Sequence, residues 1–126
     1  WKNADFTYAV GCHDINALRA LTQLTSLSLN SNQLSDVSAL SDMTQLKSLD
    51  LRDNKLSDVS ALSGMTKLEY LYLGSNQLSD IRALSGMTKL IELHLTDNLL
   101  IGNCAVSEAF HTEEKVKAFF NRCFPL

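Results

Sequence analysis

The sequence LEYLYLGSNQLSDIRALSGMTK, at residues 68–89, decides the fold because its pattern is repeated along most of the chain. Each unit reads L-x-x-L-x-L-x-x-N-x-L, and three units continue with S-D-[VI]-x-A-L-S-x-M-T. The interval is 22 residues, as subtraction shows for Asn32, Asn54, Asn76 and Asn98. A repeat of this length predicts a solenoid in which each unit is one coil that stacks on the next.

The L-x-L alternation inside each unit predicts a short strand with one apolar side and one polar side. Successive side chains of a strand point to opposite faces, so Leu71 and Leu73 share one face while Tyr72 leaves by the other. One short strand cannot bury its leucines alone, and stacking on neighbours completes the core. The leucine side is therefore predicted to be the core and the other side the solvent-facing surface.

This pattern resembles the leucine-rich repeat, specifically the short bacterial subtype seen in internalins, over Ile15 through Leu100. The resemblance implies an α/β fold, a curved solenoid with short parallel strands on the concave face and 3₁₀ turns on the convex face. It also implies a protein-interaction module from a secreted or surface bacterial protein. We expect one domain, 1–126, with an N-terminal cap and half repeat over 1–23, regular repeats over 24–100 and a C-terminal cap over 101–126.

The polar residues that recur in every coil are predicted to be structural. An Asn at the exit of a strand can bond its side-chain amide to backbone groups of the adjacent turn, and buried turn groups need such partners. Repeated in each coil, these bonds would form an internal ladder. The aspartates of the same series are predicted to cap the 3₁₀ segments; they are Asp36, Asp58 and Asp80. One Asp per coil is too sparse for a repeating calcium site.

A half repeat is expected to begin the solenoid. The residues that match the next coil at the same interval are Asp14, Ile15, Leu18 and Leu21. Before them, Phe6 and Tyr8 are two residues apart and suggest an irregular first strand. We expect Trp1 to cover the exposed end of the core, since a solenoid without caps would expose it.

An amphipathic helix is predicted at the C-terminal end. Thr112, followed by Glu113 and Glu114, is typical of a helix N-cap with an acidic first turn. The apolar stripe of the helix is Val116, Phe119, Phe120 and Cys123. We expect this capping helix to lie across the last coil and bury both phenylalanines. Membrane insertion or contact with a partner helix is the alternative.

A disulfide is predicted between Cys104, just after the last repeat, and Cys123 on the inward stripe of the helix. It would stabilise the chain by about 2–4 kcal/mol and would place the protein outside the reducing cytoplasm. Two buried thiols in a cytoplasmic protein are the alternative. Cys12 lies about four coils away, roughly 19 Å at strand spacing. That separation exceeds the roughly 7 Å between Cα atoms that a disulfide spans, so Cys12 is predicted to be free.

Catalytic and metal-binding patterns are weak in this sequence. A zinc site from Cys104, His111 and Cys123 is conceivable, but it offers three ligands and lacks a C-x-x-C knuckle. Cys12 and His13 are adjacent, and adjacent residues rarely face each other in an extended segment. The sequence contains no Gly-rich phosphate loop, HExxH or GxSxG. We therefore predict a non-catalytic protein without a metal or cofactor.

The variable positions of the strands are predicted to form a contiguous surface, because neighbouring strands lie roughly 4.8 Å apart. Tyrosine and arginine are frequent at binding hot spots, and both occur here. We predict that a partner binds at Tyr70, Tyr72, His94, Asp50, Arg52 and Glu92. The alternative is a solvated face whose tyrosines only stabilise the sheet.

Composition and charge narrow the class of partner. The net charge is -3 at pH 7 and no basic face is visible, which argues against nucleic acid. No apolar stretch approaches the roughly 20 residues of a membrane span. A monomeric chain that binds a protein is therefore the favoured prediction. Two alternatives remain: a carbohydrate or small-ligand receptor that stacks its ligand on Tyr70 and Tyr72, and a structural or engineered scaffold, which near-identical units would suit.

Overall fold

The computed structural model describes residues 3–5 and 15–125, which form a solenoid of stacked coils. One parallel sheet contains β1 (Asn3–Asp5), β2 (Ser26–Ser28), β3 (Ser48–Asp50), β4 (Tyr70–Tyr72) and β5 (Glu92–His94), in that order. The 3₁₀ turns on the other side of the coils are Asn16–Ala20, Ser38–Leu40, Ser60–Leu62, Arg82–Leu84 and Gly102–Cys104. The chain ends in helix α1 (Glu113–Cys123). This is the α/β repeat architecture that the sequence predicts.

The register of the sheet follows the sequence repeat from β2 to β5. Leu49 pairs with Leu71, and Leu71 with Leu93, so each strand is offset from the next by one repeat. These central leucines are completely buried, whereas the residues on either side of them are half-buried. Stacked leucines from every coil therefore make one continuous core, and the polar sides of the strands make one continuous surface.

The N-terminal strand β1 lies one residue off the repeat of the other strands. Asn3 pairs with Ser26, an interval one residue longer than the repeat. The irregular strand expected around Phe6 and Tyr8 lies outside the described residues and stays a prediction. The structure does not describe Trp1, Phe6, Tyr8, Cys12, His13 or Asp14. The proposed roles of these residues at the N-terminal end therefore stay predictions.

Each coil turns at a residue in the left-handed backbone region. Ser31, Asp53, Ser75 and Asp97 have φ values of 62°, 57°, 56° and 59°. Each of them directly precedes one of the repeated asparagines. Non-glycine residues seldom adopt this conformation, although Asn and Asp tolerate it better than most. The turn is therefore held by its surroundings and not by a glycine.

The aspartates of the repeat cap the 3₁₀ turns. In each turn the aspartate Oδ1 accepts a hydrogen bond from the backbone N–H two residues later. Ser38 N donates to Asp36 at 2.8 Å, and Ser60 N donates to Asp58 at 2.8 Å. These hydrogen bonds lower the pKa of both exposed carboxyls, and they outweigh the small effect of burial. The carboxylate is therefore the form that holds the turn.

The C-terminal cap covers the last coil. Thr112 Oγ1 accepts the Lys115 backbone N–H at 3.2 Å and begins α1. Phe119 is buried and stacks on Phe110, with ring centroids 4.8 Å apart, whereas Phe120 is only partly buried. The expectation that both phenylalanines are buried is therefore right for Phe119 and wrong for Phe120, which lies at the edge of the stripe. None of the helices formed by the described residues is long and apolar enough to cross a bilayer.

Candidate functional site

The residues predicted to bind a partner lie together on the polar side of β3, β4 and β5 and at their ends. We call this surface the strand face; it comprises Asp50, Arg52, Tyr70, Tyr72, Glu92, His94 and, as described below, His111. The register sets Asp50 beside Tyr72, Tyr72 beside His94, and Tyr70 beside Glu92. The 22-residue offset predicts these same neighbours. Side chains on adjacent strands are therefore close enough to contact one another.

A paired carboxylate and guanidinium lie at the β3 side of the strand face. Arg52 donates to Asp50 twice, from Nε to Oδ1 at 3.0 Å and from Nη2 to Oδ2 at 2.7 Å. Asn30 Nδ2 donates to the same carboxylate at 3.3 Å. The side chain of Asp50 is only 14% exposed, and its hydrogen bond raises the pKa of Arg52. A bidentate pair of this kind fixes the direction of the guanidinium plane.

Tyr72 connects this pair to the last strand. The Arg52 guanidinium carbon lies 5.1 Å from the centroid of the Tyr72 ring, within cation–π range. The Tyr72 hydroxyl donates to Glu92 Oε2 at 3.2 Å. Partial burial, followed by the nearby Glu92 charge, raises the pKa of the phenol. Tyr72 is therefore neutral, oriented and in contact on both sides, whereas its strand neighbour Tyr70 is half-buried beside Glu92.

Two histidines converge on Glu92 at the far end of the strand face. His94 Nε2 lies 3.4 Å from Oε2, and His111 Nδ1 lies 3.4 Å from Oε1. The rings of His94 and Tyr72 meet edge to face, with centroids 4.6 Å apart. Burial lowers the pKa of His94, although Glu92 partly opposes this effect. Burial by itself would raise the pKa of Glu92, but its contacts with His111, Tyr72 and His94 lower it overall.

His111 is the member of this surface that sequence reasoning missed. The sequence offered it only as a possible zinc ligand with the two C-terminal cysteines. Instead, Phe110 forms an antiparallel bridge with Leu93, with two backbone hydrogen bonds of 2.9 Å. In an antiparallel register the next pair is Glu92 opposite His111. A single bridge of this kind leaves no periodic signal, so the repeat could not reveal it.

The two C-terminal cysteines are joined to each other. The Sγ atoms of Cys104 and Cys123 are bonded, and their Cα atoms are 4.4 Å apart. The pair connects the 3₁₀ turn Gly102–Cys104 to the last residue of α1. Arg122 strengthens the same junction by donating to Asn103 O at 2.9 Å and Ala105 O at 3.0 Å. With their sulfurs shared in this way, the cysteines do not form a zinc site with His111.

The asparagines lie behind the strand face, inside the turns. Asn54 Oδ1 accepts the backbone N–H groups of Asn32 and Leu34 in the preceding coil, at 3.1 Å and 2.9 Å. Its Nδ2 donates to Leu29 O and Leu51 O at 3.2 Å and 2.9 Å. Asn76 and Asn98 repeat this arrangement in the next coils. These side chains join coils to one another and are not available to a ligand.

Comparison with known proteins agrees with this architecture. The family model for leucine-rich repeats (2 copies) matches residues 22–64, 44–86 and 66–107. No curated protein matches the chain. Together the matched ranges extend over more than half of the sequence.

Many solved structures are similar to the chain, including the three that follow. An internalin (InlF) from Listeria monocytogenes str. 4b F2365 is 34% identical, with a TM-score of 0.76 over 79% of this chain and 29% of that one. Internalin C2 from the same strain is 32% identical, with a TM-score of 0.71 over 74% and 41%. The leucine-rich-repeat ectodomain of the Arabidopsis thaliana receptor kinase GASSHO1/SCHENGEN3, in complex with CASPARIAN STRIP INTEGRITY FACTOR 2, is 36% identical, with a TM-score of 0.54 over 61% and 10%. The chain thus spans less than half the length of each, and it belongs to the leucine-rich-repeat family as an internalin-like member.

Proposed function

We propose that the strand face binds a protein partner. Leucine-rich-repeat domains in general mediate protein–protein interaction, and the plant relative was solved with a partner. One observation carries the choice of surface: a connected series of contacts runs from Asp50 through Arg52 and Tyr72 to Glu92 and His94. Side chains that are already held by their neighbours lose little freedom on binding, which favours affinity.

The composition of the surface fits a protein interface. An aromatic centre with a mixed-charge border matches the arrangement of binding hot spots and their polar rims. Arg52 and Tyr72 are of the residue types most enriched there. We also propose that the chain is a monomer without enzymatic activity and that its partner is not a nucleic acid. The Cys104–Cys123 disulfide supports an extracytoplasmic location, because disulfides persist in oxidising compartments.

A carbohydrate receptor is the second candidate, and the contacts of Tyr72 argue against it. A sugar-stacking platform needs a free ring face. Here the Arg52 guanidinium lies over the Tyr72 ring, and the rings of Tyr72 and His94 meet edge to face. Of the tyrosine pair, Tyr70 alone is left without such a contact among the described residues. A protein that inserts a side chain beside Tyr70 and pairs with the flanking charges suits this surface better.

The test presents the oxidised chain in parallel to an array of extracellular protein domains and to a glycan array. We expect saturable binding to a protein domain. Tyr72→Ala should then weaken that binding by about 2 kcal/mol, roughly thirtyfold, and circular dichroism verifies that the variant still folds. The matched control is Arg82→Glu in the exposed 3₁₀ turn on the opposite side of the coil, with its side chain 82% exposed.

Three results would contradict the proposal. Binding to glycans and to no protein domain would favour the carbohydrate receptor. Normal binding by Tyr72→Ala together with loss in Arg82→Glu would mean that the opposite face is the interface. Binding on neither array would favour a structural scaffold.

A further inference from the structure

Glu92, His94 and His111 form a cluster of side chains that can bind a metal ion. One carboxylate oxygen and one ring nitrogen from each histidine all lie within 4.8 Å of one another. His94 Nε2 lies 3.4 Å from Glu92 Oε2, and His111 Nδ1 lies 3.4 Å from the other carboxylate oxygen, Oε1. Two ligands at about 2.0–2.1 Å from a tetrahedral zinc ion are about 3.4 Å apart. Each histidine therefore already lies at ligand spacing from one oxygen of Glu92, and a small movement of the carboxylate or of the exposed His111 ring would bring all three groups onto one ion.

The Nε2 ring nitrogen of His94 also supports a metal site. Its Nε2 is buried and makes no hydrogen bond among the described residues. Glu92 Oε2 is 3.4 Å away, but the contact lacks hydrogen-bond geometry. A buried polar nitrogen without a partner costs free energy. A metal ion placed between the nitrogen and the carboxylate would satisfy both groups.

We propose that Glu92, His94 and His111 bind a divalent transition-metal ion, with Zn²⁺ as the preferred ion. Imidazole nitrogen and carboxylate oxygen are common zinc ligands, and a three-ligand site leaves a fourth position open. Calcium is disfavoured because it requires six or more oxygen ligands.

The surroundings of the cluster support this chemistry. The Tyr72 hydroxyl donates to Glu92 Oε2 and would orient the carboxylate from outside the ligand set. His111 is 62% exposed, so its ring can adjust as the ion binds. All three protein ligands belong to this chain, so metal binding does not require the protein partner proposed above.

Isothermal titration calorimetry of the oxidised, chelator-treated chain with zinc chloride tests the proposal. We expect one Zn²⁺ per chain. His111→Ala and Glu92→Gln should each weaken binding by at least about tenfold, because losing even an outer-shell partner of a metal typically costs that much. Cobalt(II) provides a spectroscopic readout, since tetrahedral coordination gives strong visible absorption that both variants should lose. Circular dichroism melts of the metal-free variants verify that they fold.

Two controls isolate the site. Glu114→Gln removes an exposed carboxylate from the first turn of α1 and should leave binding unchanged. The double variant Cys12→Ser/His13→Ala removes the adjacent thiol and imidazole outside the described residues and should also retain one Zn²⁺. Absence of binding at micromolar zinc would overturn the proposal. Equal binding by His111→Ala and the wild type, or loss of binding in the Cys12→Ser/His13→Ala variant, would do so as well.

Discussion

Replacing Asn76 by alanine tests how much the asparagine ladder contributes to stability. Its side chain is only 7% exposed. Oδ1 accepts the Leu56 backbone N–H at 3.0 Å, and Nδ2 donates to Leu51 O at 3.0 Å, Leu73 O at 3.0 Å and Gly74 O at 3.3 Å. One side chain thus joins the turn of its own coil to the coil before it. The alanine variant loses all of these bonds at once.

The cost is unequal among the partners. Leu51 O keeps a donor in Asn54 Nδ2 at 2.9 Å, and Leu73 O keeps one in Asn98 Nδ2 at 3.0 Å. The buried Leu56 N–H has no second acceptor among the described residues. A buried group left without a partner costs about 1–3 kcal/mol. The loss should therefore be about 2 kcal/mol and should come mainly from one N–H group.

Urea denaturation measures this loss. With a slope of about 2 kcal/mol per molar urea, the midpoint should fall by about 1 M. The matched control is Gln77→Ala, one residue further on, where the side chain is exposed; it should change stability by less than about 0.5 kcal/mol. Equal midpoints for Asn76→Ala and the wild type would refute the ladder as a source of stability.

Three further predictions concern the cap, the turns and acid. Mass spectrometry of unreduced peptides should recover Cys104 linked to Cys123 and Cys12 as a free thiol, and reduction should cost about 2–4 kcal/mol; three free thiols would contradict it. Ser75→Val should destabilise by about 1–2 kcal/mol because a β-branched residue is strained at φ 56°, whereas Ser75→Gly should not; equal losses would refute the strain argument. The pKa of Asp58 is lower in the folded protein than the unfolded value of 3.8. The Asp58 carboxylate therefore stabilises the fold above pH 3.8, and this contribution is lost as the pH falls through the lower, folded pKa. Asp58→Asn should therefore flatten the loss of stability in acid, and an unaltered pH profile would contradict this.

Sequence periodicity predicted the parts of the structure that repeat. Because every coil has the same length, the offset alone placed Asp50 beside Tyr72 and Tyr72 beside His94, and the sheet has this register. It also placed the leucines in the core, where they are buried. Both follow from stacking identical units, which needs no knowledge of individual side-chain contacts.

The features that sequence reasoning missed are those that occur once. The β1 register and the Phe110 bridge both lie at the ends of the solenoid, where the pattern stops. The bridge brings His111 to Glu92, a contact that depends on one loop of unpredictable course. Mutual burial on the strand face was also missed: His94 is only 22% exposed because Tyr72 and His111 pack against it. Alternation can assign a side chain to a face, but it cannot give the packing on that face.

The central claim is that the strand face is the binding surface. Hydroxyl-radical footprinting of the chain with a protein ligand from the array experiment tests it most directly, because the method reads the solvent access of individual side chains. We expect lower oxidation of Tyr70, Tyr72 and His94 in the complex. Ile101, which is 81% exposed and lies outside the strands, should be unchanged. Protection of Ile101 with no change at the two tyrosines and His94 would contradict it.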